Sequence, residues 1–237
     1  SNNLISMYLG IELQSLSLYV LASINRDSLK SSEAGLKYFI LGALSSGILL
    51  YGFSLIYGFV GTMNFDLIRL SLMDLDKLNS GIVFGLVFIL VGLSFKVTAV
   101  PFHMWAPDVY EGAPTPITAF FIMVPKIAAV GLLIRFLLVP FGNHIDEWQQ
   151  IIIIISILSM SLGALAAIMQ DDIKRLLAYS SIGHIGYILI GLASGSNEGI
   201  KAIIIYLVIY IFMNAAIFTI LLSTKNSNNL YETSINK

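Results

Sequence analysis

Apolar runs of about 20 residues, the length a helix needs to cross a bilayer, recur along this chain from end to end. They leave few folds open, because a backbone surrounded by lipid must satisfy its own polar groups, and a run of this length does so as an α-helix. Seven such runs are legible, at about 4–24, 35–60, 81–100, 115–138, 148–169, 173–193 and 199–222. The predicted fold class is all-α: a polytopic transmembrane helix bundle, one membrane domain over 1–237. Charge content agrees, since 11% of the residues are charged against about 25% in a soluble domain.

The same residues exclude several functions. A formal net charge of −1 provides no basic footprint for nucleic acid. With no cysteine and three scattered histidines, thiolate metal sites, iron–sulfur ligation and histidine metal motifs are not expected, so neither a metal nor a cofactor is predicted. Residues 1–6 lack a basic n-region and run straight into a span, so no cleavable signal is read there. The first residue is not Met and the last residues, 223–237, are polar; the expectation is an excerpt of a longer protein.

Two stretches depart from plain spans. Residues 65–78 set Leu, Ile and Met among Asp66, Arg69, Asp74, Asp76 and Lys77 at helical spacing, which predicts an interfacial helix. After the run at 81–100, Pro101, Pro107, Pro114 and Pro116 interrupt the pattern, predicting a discontinuous helix that continues to 114. Alternating the loops between two faces puts Arg26, Lys30, Lys174, Arg175, Lys225 and Lys237 on one side and Arg69, Lys77 and Lys201 on the other. The first face is therefore predicted to be cytoplasmic or matrix.

Ionisable residues inside spans carry most of the functional information. A charge at mid-bilayer costs about 2.5–3.5 kcal/mol on insertion scales, and such residues mark ion paths or pair with one another. Lys126 lies about 12 residues from either end of its span, about 17 Å at helical rise, out of snorkelling reach; the alternative is a structural lysine paired with a carboxylate. Pro125 before it removes a backbone donor. Glu12 lies deep in the first span and needs a proton or a cationic partner, a helix-packing salt bridge being the alternative. Lys96, five residues before Pro101, either joins a site at the helix break or snorkels, as Lys37 near the start of its span also can. Ser180, His184 and Tyr187 share a helical face. His184 reads either as a hydrogen-bonded core histidine or as a proton carrier titrating near neutrality. Tyr206, Tyr210 and Asn214 form a polar stripe better explained by helix–helix hydrogen bonding. His103 and Trp105 are expected to pack the broken segment, His144 to be solvated in a loop, and Asp171 and Asp172 to favour a helix N-terminus. Lys174 and Arg175 suit the inner face and need no further role, although Lys174 stands close enough to its span to line an entrance.

The chemistry such residues support is proton relay. Desolvation disfavours a charged ammonium and a nearby carboxylate favours it, so a Glu–Lys pair that can separate acts as a gate. Glu12 with Lys96, rather than with Lys37, is the expected pair, because Lys37 starts its span near the inner face.

Two long motifs carry a resemblance. Phe95-Lys96-Val97-Thr98-Ala99-Val100-Pro101-Phe102-His103-Met104-Trp105-Ala106-Pro107-Asp108-Val109-Tyr110-Glu111-Gly112-Ala113-Pro114-Thr115-Pro116 and Asp172-Ile173-Lys174-Arg175-Leu176-Leu177-Ala178-Tyr179-Ser180-Ser181-Ile182-Gly183-His184 resemble the antiporter-like membrane subunits of respiratory complex I, NADH:quinone oxidoreductase. The Val109-Tyr110 form is similar to one branch of that family; sister branches and sodium/proton antiporter relatives usually carry a His-containing variant there. The resemblance implies two inverted five-helix repeats, each with one broken helix, in a subunit of about fourteen spans, of which these seven look like helices five to eleven. It implies that Glu12, Lys37, Lys96 and Lys126 are proton-path residues, with His184 as a middle relay. A further lysine on helix twelve would lie beyond these spans, leaving the path incomplete. It also implies a proton-translocating subunit with no flavin, iron–sulfur or nicotinamide site of its own. Its partners would be neighbouring membrane subunits and lipid, and its location a bacterial cell membrane or a mitochondrial inner membrane. Rival readings are a cation/proton antiporter subunit, a membrane subunit of a proton-pumping hydrogenase, and a structural membrane module whose buried charges serve assembly.

Overall fold

A computed structural model describes residues 2–73, 75 and 77–224. Asp74, Asp76, Lys225 and Lys237, used above for the interfacial segment and for orientation, lie outside the described residues, as does most of the polar tail. The described residues form the helices α1 (Leu4–Ala22), α2 (Leu29–Val60), α3 (Phe65–Leu72), α4 (Ser80–Val97), α5 (Trp105–Gly112), α6 (Thr115–Leu138), α7 (Asp146–Ile168), α8 (Ile173–Ala193) and α9 (Asn197–Ser223). Seven of them are long and apolar enough to cross a membrane; α3 and α5 are the short ones. The chain is a multi-pass membrane protein.

Helix starts follow side-chain caps. Asn3, Ser28, Asn64, Asn79, Asp172 and Ser196 each accept a hydrogen bond from the first turn of α1, α2, α3, α4, α8 and α9. The Ser28 cap starts α2 at Leu29, six residues before the expected 35. Lys30 and Lys37 therefore stand on the first turns of a helix, where Glu33 and Lys37 pair at 2.7 Å across i, i+4. The expected interfacial helix is present but ends at Leu72, and its apolar face, Phe65, Ile68 and Leu72, is buried against the bundle rather than turned to lipid. Its C-terminal carbonyls corrected a second expectation. His144, read as solvated, bonds through Nε2 to the Leu72 carbonyl at 2.9 Å, filling one of the acceptors a helix end leaves open.

Close helix pairs are made by small residues, as expected where lipid supplies no hydrophobic drive between helices. A Cβ on Gly163 of α7 would lie 2.5 Å from the Gly183 nitrogen of α8, and one on Gly52 of α2 would lie 2.8 Å from the Gly85 carbonyl of α4. The short helix α5 packs between α2 and α8, while α9 covers α8 and α6.

The interior is divided into two apolar clusters. One holds Ile11, Leu93, Val97, Val130, Ile185 and Leu207, and extends to α3 and Trp148 at the outer end. The other holds Leu18, Phe95, Ile122, Ala178 and Tyr210, and extends to Trp105 and Tyr110 of α5. On α1, α6 and α8 the changeover between clusters falls at the polar positions: Glu12 and Ser15, Lys126, then Ser181 and His184; on α4, Lys96 stands between Phe95 of the second cluster and Val97 of the first. Glu12, Lys96, Lys126 and His184 thus lie along a seam between the two clusters.

Candidate functional site

The seam is organised by the break between α4 and α5. α4 ends at Val97 and is capped by Thr98, a non-glycine residue with φ 64°, a conformation L-residues adopt rarely. The turn is held by Ala99 N–H to the Ser94 carbonyl at 2.9 Å and by Val100 N–H to Ser159 Oγ of α7 at 2.9 Å. Turning the chain there presents the Thr98 hydroxyl to α6. Lys126 Nζ donates to it at 2.8 Å and to Ser181 Oγ of α8 at 2.7 Å, and sits 5.6 Å from the centre of the Tyr110 ring of α5. Lys126 is 1% exposed. Among the described residues it pairs with no carboxylate.

On the α1 side of the break, Lys96 Nζ donates to Ser15 Oγ at 2.7 Å and lies 5.7 Å from the centre of the Phe95 ring. It is half-buried. One turn before Ser15, the Glu12 carboxylate accepts a hydrogen bond from Ser46 of α2. Glu12 and Lys96 form no direct ion pair among the described residues; each is held by a serine. Ser15, Lys96, Gln14, Tyr38 and Pro125 line a cavity of about 200 Å³ between α1, α4 and α6. Pro125 thus brings the loosened part of α6 to the Lys96 side, while Lys126 points the other way, to Thr98 and Ser181.

On α8, His184 Nδ1 and the Tyr206 hydroxyl of α9 are 2.7 Å apart, and the His184 ring packs edge-on against Tyr210 at 5.2 Å. Tyr210 donates to the Ile122 carbonyl of α6 at 3.2 Å, and Asn214 to the Tyr210 carbonyl at 2.8 Å. The α9 stripe therefore serves helix–helix bonding and also supplies the partner of His184. On its other side His184 borders a groove of about 330 Å³ with Ser180, Gly183 and Tyr187.

Lys37 stands apart from these residues. Its ammonium pairs with Glu33 and Asp108, each at 2.7 Å, and is half-exposed. Nine residues separate Lys37 from Ser46, about 13.5 Å along α2, so Lys37 is near the inner end while Glu12 is deep. The inner-end cluster also joins Lys30 to Glu111 at 2.8 Å and Arg175 to Asp108 and Glu111 at 2.7 and 3.1 Å. Asp108 and Glu111, the acidic pair on a face otherwise rich in cations, thus meet those cations directly. Trp105 packs the broken segment as expected, donating its indole N–H to the Phe95 carbonyl at 3.1 Å and stacking on Tyr38 at 4.3 Å. Asp172 caps α8.

The hydroxyls that hold the site, Ser15, Ser46, Thr98 and Ser181, were not singled out from the sequence. Serines in spans often bond only to their own helix, as Ser17 does to the Leu13 carbonyl. The available signal was their place beside ionisable positions: Ser15 is three residues from Glu12, Thr98 two from Lys96, and Ser181 three from His184.

Comparisons with known proteins give this arrangement a family. Residues 1–236 match the family model described as NADH:quinone oxidoreductase/Mrp antiporter, TM. NADH-quinone oxidoreductase subunit N of Pelagibacter ubique is 61% identical over 98% of the chain and 49% of its own length. That of Rhodospirillum rubrum is 58% identical over 98% and 48%. The chain spans about half the length of the curated relatives it matches. A structure of respiratory complex I from Thermus thermophilus with bound aureothin superposes with a TM-score of 0.79 at 36% identity, over 93% of this chain and 47% of that one. The Mrp complex from Dietzia sp. matches at 0.83 with 27% identity, over 92% and 40%. The two subunit N relatives are on the branch that the Val109-Tyr110 form indicated, and the chain belongs to the NADH:quinone oxidoreductase/Mrp antiporter transmembrane family.

Proposed function

We propose that this chain is the central part of a proton-translocating membrane subunit of NADH:quinone oxidoreductase. In this reading protons pass along the seam through Glu12, Lys96, Lys126 and His184, and Lys37 belongs to the inner-face charge cluster that feeds it. The observation that carries the reading is the state of Lys126: a fully buried ammonium at mid-span whose hydrogen-bond partners among the described residues are hydroxyls. Burying a charge without a counter-charge is costly, and a residue needed only for assembly would be better served by a carboxylate or a neutral side chain. With no carboxylate on it among the described residues, Lys126 is free to respond to a charge that approaches it. The hydroxyls of Ser15, Thr98, Ser181 and Tyr206 can both donate and accept, which a relay requires.

The chain itself contributes no flavin, iron–sulfur cluster or nicotinamide site; its partners are neighbouring membrane subunits of the complex and lipid. The reading as a cation/proton antiporter subunit is less well supported, since the subunit N relatives share 58–61% identity and the Mrp structure 27%.

The test is NADH-driven proton uptake in vesicles, normalised to assembled complex and made in the full-length subunit. Lys126→Ala lowers coupled uptake by at least about tenfold, the scale of a lost proton-transfer group. Lys126→Arg keeps a charge, supports assembly and still impairs turnover, because arginine releases its proton too reluctantly. Normal uptake in both variants would place the path elsewhere, and normal uptake in Lys126→Ala alone would favour a structural role.

A further inference from the structure

We infer that Lys174 is a positioning residue for the Lys126 site, acting as the C-terminal cap of α5. The inference rests on the relay reading above and concerns a side chain that the relay does not use. Lys174 is the second residue of α8, where a cation opposes the helix dipole, and it is 8% exposed. Its ammonium forms no ion pair among the described residues. It donates instead to the backbone carbonyls of Glu111 and, at 2.9 Å, Ala113.

Those carbonyls are at the end of α5, and the sequence there offers no backbone cap. A helix end is usually closed by N–H groups of the next residues, with a left-handed residue at the turn. After Gly112, Ala113 is extended (φ −67°, ψ 151°) and Pro114 has no N–H. Ala113 N–H reaches only the Val109 carbonyl, at 2.9 Å. The Tyr110 carbonyl is taken by the Thr118 hydroxyl of α6 at 2.7 Å. The Glu111 carbonyl is taken by Lys174. A charged donor from another helix thus replaces a cap that Ala113-Pro114 cannot make. Arg175, next in sequence, ties the Asp108 and Glu111 side chains of the same helix.

What this cap holds in place is Tyr110. Its ring is 1% exposed and lies 5.6 Å from Lys126 Nζ, on the side toward the inner-face pocket lined by Lys30, Lys37, Asp108, Glu111, Gly112 and Arg175. α5 stands between that pocket and Lys126. With the cap removed, the last turn of α5 frays, the Tyr110 ring loses its place over Lys126, and the site opens toward the inner face.

The experiment uses assembled complex carrying Lys174→Met, Lys174→Arg or Lys126→Ala in the full-length subunit. Backbone hydrogen exchange of residues 105–113 and the pH profile of NADH-driven proton uptake are both measured. In Lys174→Met, α5 amides exchange at least about tenfold faster while those of α7 are unchanged, and uptake falls with a displaced pH profile; Lys174→Arg, which keeps charge and donors, restores both. Should Lys174→Met fail to assemble, Lys174→Gln, which keeps a neutral donor, shows the same changes to a smaller degree. Unchanged α5 exchange, or an unchanged pH profile, overturns the inference. If Lys126→Ala abolishes uptake while Lys174→Met pumps normally, the relay stands and the positioning role falls. Normal uptake in Lys126→Ala removes the relay, and with it the function assigned to the cap, whatever α5 exchange shows.

Discussion

At the scale of single residues, the site is a set of ionisable groups held by hydroxyls. Lys126 has two hydroxyl acceptors, so removing either leaves a buried ammonium under-satisfied at a cost of about 1–3 kcal/mol. Thr98→Val and Ser181→Ala are each expected to lower coupled proton uptake several-fold, less than Lys126→Ala, in assembled complex measured in vesicles. Equal and full activity in both variants would mean that water or another group replaces the lost acceptor. The ammonium itself was legible in the sequence, because a lysine in mid-span is expensive and cannot be overlooked. Its partners were not, because serine and threonine are cheap in a membrane helix. Ser181 and Ser17 both bond to a carbonyl of their own helix, and apart from the nearness of His184 nothing local tells that Ser181 also meets Lys126.

At the scale of helices, the decisive events are one break and a few close contacts. The prolines after Val100 announced the break, and its position at Thr98 explains why Thr98 rather than a proline meets Lys126. α7 and α8 pack closely because Gly163 and Gly183 carry no side chains. Gly163→Leu has no room, since even a Cβ meets the α8 backbone. It should lower thermal stability in mild detergent by about 1–3 kcal/mol, with loss of the Val100–Ser159 contact at the break as the local consequence. Gly131→Ala on α6, where a Cβ meets nothing within 4 Å, serves as the control and should change stability by less than about 0.5 kcal/mol. Comparable melting of the two variants would show that α7 and α8 tolerate separation. Helix existence was readable from hydropathy alone, but the start of α2 was not. It depends on the Ser28 cap and on Glu33, Asp108 and Glu111 neutralising Lys30 and Lys37, and two of those acids come from a helix 71 and 81 residues away in sequence from the lysines they meet.

At the scale of the whole molecule, seven crossings put the cluster of Lys30, Lys37, Lys174 and Arg175 at one end and α3 with Trp148 at the other. The loop-charge rule assigns the first end to the cytoplasmic or matrix side. Residues 1–237 contain no cysteine, so a reporter introduced here is the one cysteine in this stretch, and the unsubstituted protein labelled in parallel supplies the background. Asn143→Cys should react with a membrane-impermeant maleimide in intact cells, and Asp27→Cys only after the membrane is opened. The reverse pattern would invert the molecule and place the inner-face pocket outside.

By itself the sequence determined that the chain crosses a membrane seven times, that one crossing is broken, which charges are too deep to be idle, and which family the motifs resemble. Each follows from a local cost: an unsatisfied backbone in lipid, a proline without a donor, an ion without water. Tertiary structure alone decided which of those charges meet. Lys37 and Lys126 are both lysines in apolar runs, yet one meets carboxylates at the inner end and the other only hydroxyls in the seam between two cores. That difference depends on which helices become neighbours, and neighbours are chosen by glycine contacts and by the path of the chain through the break. Lys174, read as a cation suited to the inner face, became a buried cap for the same reason: the carbonyls it satisfies belong to a helix it meets only when the chain is folded.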